Sequence, residues 1–191
     1  MAYDNKIRII GGILKGRKLE VIDMDGLRPT TSRVRETVFN WLQDRTANAR
    51  VLDLFAGSAA LGLEALSRGA RDLVLVEKDA DNAAVLKSQI DSLPELKGTT
   101  VQLIKGDALE YLRSVPKGQG FDLIFLDPPF DSDLLEPAVE LIMERELLNE
   151  NGIVYVEMGS ARKKNLLGLS MIRDDQIGQC HFGIYEKSFF F

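Results

Sequence analysis

Apolar positions along this chain change their period twice. Between Ile7 and Ile22, two β-prone runs flank a glycine-rich centre and predict a hairpin. Leu27 to Ser32 reads as a turn whose hydroxyls can cap the segment that follows, where Val34, Val38, Trp41 and Leu42 recur at helical spacing. The spacing predicts an amphipathic helix over about residues 32–44. From Arg50 onward, short continuous apolar runs alternate with helical stretches. Strands are predicted over 51–55, 73–77, 101–104, 121–126 and 152–157, and helices over 61–67, 80–92, 109–114 and 134–143. Such βαβ repetition demands a mainly parallel sheet covered by helices, with right-handed crossovers. The tail breaks the alternation. From about Leu167 to Phe190, β-prone runs surround Asp174-Asp175 and Gly178 with no helix between them, so an antiparallel pair should close one sheet edge.

Length keeps this to one well-cored domain: 191 residues leave room for a small appendage only. The expected organisation is an N-terminal β-hairpin extension over 1–26 and a main α/β domain over 27–191. Hydrophobic content of 45% and charged content of 28% are those of a globular protein in water, and no apolar run approaches the roughly 18 residues needed to span a bilayer. Met1 to Arg8 carries no apolar signal-peptide core, and the single Cys180 excludes an internal disulfide, as a reducing cytosol requires; a cytoplasmic monomer is expected. His181 is the only histidine, and without histidine or cysteine clusters no metal site is expected.

A net charge of −5 argues against a surface that binds nucleic acid everywhere. Its distribution is uneven. Residues 1–35 hold eight basic side chains (Lys6, Arg8, Lys15, Arg17, Lys18, Arg28, Arg33 and Arg35) against Asp4, Glu20, Asp23 and Asp25, a local +4 that leaves −9 on the remainder. Such a stretch is either a phosphate-contacting arm or a solvated edge hairpin protected by its lysines, and on charge alone the second is commoner.

The most informative stretch is Phe121 to Phe130, an apolar run that ends in Asp127, Pro128, Pro129 and an aromatic ring. Each proline fixes φ and lacks an N–H, so the segment leaves the sheet stiff and rich in acceptors. An exocyclic amine could give one hydrogen to the Asp127 carboxylate and the other to the Pro128 carbonyl, with Phe130 stacked on the ring. Ligands of open parallel sheets bind beyond the strands' carboxyl ends, where the strand order reverses. The predicted strand over 51–55 runs through Asp53, Phe55 and Ala56 to Gly57, which permits close backbone approach. The next ends in Glu77 and Lys78, with Glu77 suited to both hydroxyls of a ribose; after 101–104 come Asp107 and Ala108, with Asp107 able to accept from an adenine amine. Together these describe a pocket for an adenosine-containing cofactor. A nicotinamide dinucleotide fits less well, because Ala59 stands at the middle glycine of its G-x-G-x-x-G fingerprint.

The run from Asp53 through Gly57 and Gly62 to Ala70, Glu77, the Asp127 to Phe130 motif, Arg28-Pro29-Thr30 and the stretch from Arg33 to Asn40 resemble the bacterial 16S rRNA guanine-N2 methyltransferases. The likeness extends from the Arg8 to Gly12 opening to the Tyr185-Glu186-Lys187 ending. It implies a Rossmann-like class I methyltransferase fold, a seven-stranded sheet with a reversed last strand, and S-adenosylmethionine as cofactor. It further implies transfer to N2 of one guanine in the small ribosomal subunit or its precursor. In similar enzymes the element from Thr30 through Arg33 to Glu36 faces the methionine portion of the cofactor, although Arg33 and Arg35 could equally grip phosphate. Arg8, Lys15, Arg17, Lys18 and Arg35 are the expected RNA contacts. Ala59 departs from the family's glycine loop, and a methyl there is expected to crowd the cofactor. Two other readings stay open: an adenine-N6 DNA methyltransferase, and a non-catalytic RNA-binding assembly factor.

Overall fold

In a computed structural model, the structure describes residues 6–21, 30–129, 132–159 and 166–188. A two-stranded ribbon, β1 (Lys6–Arg8) and β2 (Lys18–Glu20), precedes helix α1 (Ser32–Trp41). The main body follows as β3 (Arg50–Asp53), α2 (Ala60–Ser67), β4 (Asp72–Glu77), α3 (Ala80–Asp91), β5 (Thr100–Lys105), α4 (Ala108–Ser114), β6 (Phe121–Leu126), α5 (Leu135–Glu144), β7 (Leu148–Met158), β8 (Leu169–Ile177) and β9 (Cys180–Lys187). The sheet order is β5-β4-β3-β6-β7-β9-β8. Pairs from β5 to β7 are parallel, and β9 runs antiparallel between β7 and β8. This is the expected Rossmann-like sheet. The chain steps outward from β3 to β5, then returns to β6 on the other side of β3, so the strand order reverses between β3 and β6.

Alternation along buried strands divides the core in two. Leu123 and Phe125 of β6 join Val34, Val38 and Phe39 of α1 and Leu61 and Leu63 of α2 on one face. Ile124 and Leu126 meet Leu112 of α4 and Ala138, Val139 and Ile142 of α5 on the other. A strand covered on both sides needs the unbroken apolar run seen in its sequence. Among the described residues, no helix is long and apolar enough to cross a membrane.

Boundaries moved where tertiary contacts overrode the local pattern. The first core strand stops at Asp53 rather than residue 55; Leu54 still donates to the Phe125 carbonyl at 3.2 Å before the chain turns away. Strand β7 begins at Leu148, earlier than residue 152, by way of a register shift opposite Phe121 and Leu123. The helix predicted over 32–44 ends at Trp41, whose ring stacks on Phe182 of β9 at 5.5 Å.

The largest difference concerns the N-terminal ribbon, which pairs over three residues on each strand only. Its connecting loop is packed rather than extended. Ile10 and Gly11 donate their N–H groups to the Glu64 carboxylate of α2 at 2.9 and 2.8 Å, and Ile13 and Leu14 donate to the carbonyl and hydroxyl of Ser67 at 2.8 and 2.9 Å. Ile9, Leu14 and Leu19 enter the same core face as α1. Residues 6–21 therefore share the main core; the boundary expected at residue 26 lies outside the described residues.

Arg35, expected on RNA phosphates, requires correction. Its side chain is 1% exposed, pairs with Glu64 at 3.4 Å and donates to the Arg8 carbonyl at 3.0 Å. Glu64 captures it because α2 is buried along all eight residues and carries a single acid, which needs cationic and N–H partners there.

Candidate active site

Four neighbouring strands bring a carboxylate to the same edge of the sheet: Asp53 and Glu77 close β3 and β4, Asp127 follows β6, and Glu157 lies near the end of β7. They do different work. Asp53 is 2% exposed and accepts from the Gly62 N–H at 3.0 Å. Gly62 is the third residue of α2, whose N-terminal flank, Ala59, has no side chain able to cap. Asp53 caps that helix from the sheet, so the structure reassigns it from cofactor acceptor to helix anchor. Burial, reinforced by the Glu77 charge, pushes its carboxyl up to about 7 against the pull of the Gly62 N–H. A Cβ at Gly62 would approach Leu75 Cδ2 to 2.9 Å, so the helix can come this close only with glycine.

Between β3 and α2 the loop folds over the strand ends. Phe55 packs on the α4/α5 face, and Ala56 donates to the Val76 carbonyl at 3.0 Å. Gly57, at φ +52°, donates its N–H to Glu77 Oε2 at 3.0 Å and accepts from Asn82 Nδ2 at 2.7 Å. Glu77 also receives Asn82 Nδ2 at 2.9 Å and the Asp79 N–H at 2.8 Å. A carboxylate offers about four acceptor sites. Three are taken by the protein's own donors, which hold the carboxylate in place and leave acceptor capacity beside the Gly57 loop.

Asp107 caps α4, accepting at Oδ1 from Leu109 and Glu110 at 2.9 and 3.1 Å. Its Oδ2 lies 3.7 Å from the exposed Lys78 ammonium, and the buried Ala108 opens the helix behind it. Ala59 occupies the left-handed region at φ 56°, ψ 20°, fully buried in the α1/α2 face of the core. Its methyl is thus core packing, which overturns the expectation that it crowds a ligand.

Asp127 is half-buried, Pro128 buried and Pro129 exposed. The Pro129 carbonyl accepts from Ser132 N and Oγ at 2.9 and 2.7 Å, turning the chain after the motif; Phe130 lies outside the described residues. Thr30 Oγ1 sits between two acids, 3.2 Å from Asp127 Oδ2 and 2.8 Å from Glu157 Oε2. Glu157 also accepts from Tyr155 Oη at 3.0 Å and Cys180 Sγ at 3.1 Å. Desolvation first, then the Glu157 charge, hold the Asp127 carboxyl well above the usual carboxylate range; the Thr30 hydroxyl opposes them and Asp53 adds to them. Burial and Glu157 likewise push the Cys180 thiol up, away from nucleophile chemistry.

Of the element expected to face the cofactor, Thr30 touches Asp127, whereas Arg33 and Glu36 lie exposed on α1. Arg8, Lys15, Arg17 and Lys18 are exposed on the ribbon and its loop, with Arg17 paired to Glu95. Glu157, Tyr155 and Asn82 escaped the sequence reading as site residues. One signal for Glu157 was present: like Asp53 and Glu77, it ends an apolar strand sequence.

The chain matches the family model described as conserved hypothetical protein 95 over residues 7–186. Ribosomal RNA small subunit methyltransferase D of Escherichia coli (strain K12) is 41% identical over 187 residues, covering 95% of this chain and 90% of that protein. Its Haemophilus influenzae (strain Rd) counterpart is also 41% identical, over 185 residues, covering 95% of this chain and 94% of its own length. A solved Escherichia coli structure described as a methyltransferase, yhhF, superposes with a TM-score of 0.83 at 39% identity, over 95% of this chain and 98% of the other. Likeness of sequence and of fold thus runs from the ribbon to the last strand, and the chain belongs to the ribosomal RNA small subunit methyltransferase D family.

Proposed function

We propose that this protein transfers a methyl group from S-adenosylmethionine to the exocyclic N2 of one guanine in 16S rRNA, within the small ribosomal subunit or its precursor, acting as a cytoplasmic monomer. The observation that carries the reading is the Asp127-Pro128-Pro129 exit of β6, at the point where the strand order reverses and beside the loop from Leu54 to Ala59. The donor set supports the cofactor. Glu77 keeps acceptor capacity for the ribose hydroxyls, Asp107 Oδ2 is available to an adenine amine, and four acidic side chains along one edge favour a ligand bearing a sulfonium and an ammonium.

When bound, S-adenosylmethionine supplies an electrophilic methyl on a positively charged sulfur. The protein's part is to present the nitrogen. The guanine N2 lone pair is delocalised into the ring; with one hydrogen held by the Asp127 carboxylate and the other by the Pro128 carbonyl, that nitrogen pyramidalises and aims its lone pair outward. Holding the reactants in line is worth about 7–11 kcal/mol of barrier. The Asp127 charge also favours the cation that develops on nitrogen, and its carboxylate is placed to take the proton that nitrogen then sheds. Phe130 would stack on the extruded base.

The exposed Arg8, Lys15, Arg17 and Lys18 would hold rRNA phosphates. Removing the ribbon is a poor test of this, because it would strip Ile9, Leu14 and Leu19 from the core. Charge reversal at Arg8 and Lys15 is cleaner: for every phosphate no longer neutralised, the slope of log affinity against log salt should fall by about 0.7–0.9, with the fold intact. The decisive assay offers labelled S-adenosylmethionine with small subunits, free 16S rRNA and duplex DNA in parallel. Label on guanine N2 of the subunit RNA, absent in Asp127→Ala, is the expected result. Label on DNA adenine, or full activity in that variant, would refute the proposal.

A further inference from the structure

The Thr30 hydroxyl has one hydrogen and lies between two carboxyl oxygens, 2.8 Å from Glu157 Oε2 and 3.2 Å from Asp127 Oδ2. It cannot donate to both. If both acids were ionised, the second contact would set a lone pair against a negative oxygen at hydrogen-bond distance. A proton on one carboxyl, donated back to Thr30 Oγ1, removes that conflict. The surrounding donors decide which acid holds it. Glu157 is 4% exposed and receives three donors, from Thr30, Tyr155 and Cys180, which together satisfy it as an anion. Among the described residues the Asp127 carboxyl has Thr30 Oγ1 as its side-chain partner, and with that hydrogen given to Glu157 the contact is satisfied by a proton on Asp127; the titratable groups that face it are Glu157 and Tyr155 from β7, Asp53 from β3 and Cys180 from β9. All of these are acids, anionic when ionised, so none offsets a second negative charge.

We infer that Thr30 and Glu157 are positioning residues that set the protonation of Asp127, with Glu157 keeping it protonated at rest and Thr30 stabilising its carboxylate form once the target amine is in place. The inference rests on the methyl-transfer reading for its purpose, though not for its measurement. The proton accounting closes over one cycle. Asp127 releases its proton to solvent as the positively charged methyl donor and the amine bind. The nitrogen lone pair then forms the new N–C bond while the C–S pair leaves with sulfur, and the nitrogen returns one proton to Asp127. One proton is released per methyl transferred, and Asp127 ends as it began. At rest, therefore, no buried anion pair has to be maintained in an empty site.

The test is the 13Cγ titration of Asp127, followed by NMR in the cofactor-free protein, together with the pH profile of kcat/KM. The unaltered protein should titrate well above the ordinary aspartate value, from desolvation and the Glu157 charge. Glu157→Gln removes the like charge and should move the midpoint down by about one unit or more. Once Asp127 ionises, the Thr30 hydrogen can turn from Glu157 to it; Thr30→Val removes that donor and should move the midpoint up, and Thr30→Ser should restore it. The acidic limb of the kcat/KM profile should follow the same order. A merely structural role would lower activity without moving midpoints in opposite directions. An ordinary aspartate titration in the unaltered protein overturns the inference, as does any other pattern among the variants. Should the titrations behave as stated while no RNA is methylated, the proton arrangement stands and the functional reading falls.

Discussion

Glu64 is the group whose loss the structure should tolerate least. Its carboxylate is fully buried and takes four partners: the Ile10 and Gly11 N–H groups at 2.9 and 2.8 Å, Arg68 Nε at 2.8 Å and Arg35 Nη1 at 3.4 Å. Glu64→Ala leaves the Arg35 guanidinium, itself 1% exposed, without its counter-ion, and among the described residues the Arg35 Nε is already a buried donor without a partner. Breaking a buried pair in this way costs about 3–5 kcal/mol, and each orphaned N–H about 1–3 more, less whatever water entering the vacated space recovers. Burial already lowers the Arg35 affinity for its proton, with Glu64 restoring it and Arg68 opposing, so the guanidinium depends on this acid. Urea unfolding should therefore show a loss of at least about 3 kcal/mol in Glu64→Ala, against a typical domain stability of roughly 5–15. Arg35→Met combined with Glu64→Gln should cost about 1 kcal/mol or more less than the two single losses summed, because the second change removes a charge the first has stranded. A loss below about 1 kcal/mol in Glu64→Ala would refute the account of Arg35 as a buried structural cation and reopen its role as a phosphate ligand.

Other consequences are simpler to measure. The Asp53 carboxyl titrates near 7 in the folded protein against 3.8 when free, so folding favours its protonated form: its contribution is intact below about pH 4 and is lost as pH rises through 7. Urea titrations from pH 4 to 8 should give Asp53→Asn a stability curve flatter by on the order of 4 kcal/mol, and parallel curves would count against it. Ala59→Gly should raise stability by up to about 1 kcal/mol in thermal melts, since it relieves a left-handed backbone at the loss of one small buried methyl; a lowered melting temperature would show that the methyl matters more. Gly62→Ala should cost about 1–3 kcal/mol, because the new Cβ would meet Leu75, Leu73 and the Asp53 carboxylate within 3.1 Å; an unchanged urea midpoint would mean α2 can move outward freely.

Much of the fold was readable in the order of residues, because β3, β4, β6 and the second half of β7 are buried on both faces and so write themselves as unbroken apolar runs. The strand ends were readable for the same reason: a carboxylate stands out against Leu123, Ile124, Phe125 and Leu126. What could not be read was the direction in which a charged side chain points. Arg33 and Arg35 are two positions apart on one helix, one exposed and the other buried, and only the distant Glu64 decides between them. A clue lay in α2, where one acid interrupts a sequence apolar on all sides and so announces a buried ion pair. Asp53 misled for a related reason. Its place at a strand end suits a ligand, but Ala59 cannot cap α2, and the helix drew the nearest free acceptor to its own N–H. Thr30 and Glu157 meet across 127 positions of sequence, a separation that no local pattern records.

Insertion of β9 between β7 and β8 has a kinetic consequence. The last strand among the described residues is interior to the sheet rather than at its rim, and its Phe182 stacks on Trp41 of the first helix. A nascent chain therefore cannot complete this sheet until β9 has been made, and until then the β7 edge and the Trp41 indole stay open to solvent. Long-range closure of this kind folds slowly and leaves intermediates prone to association, so early termination within the final hairpin should yield insoluble fragments rather than a weakened enzyme.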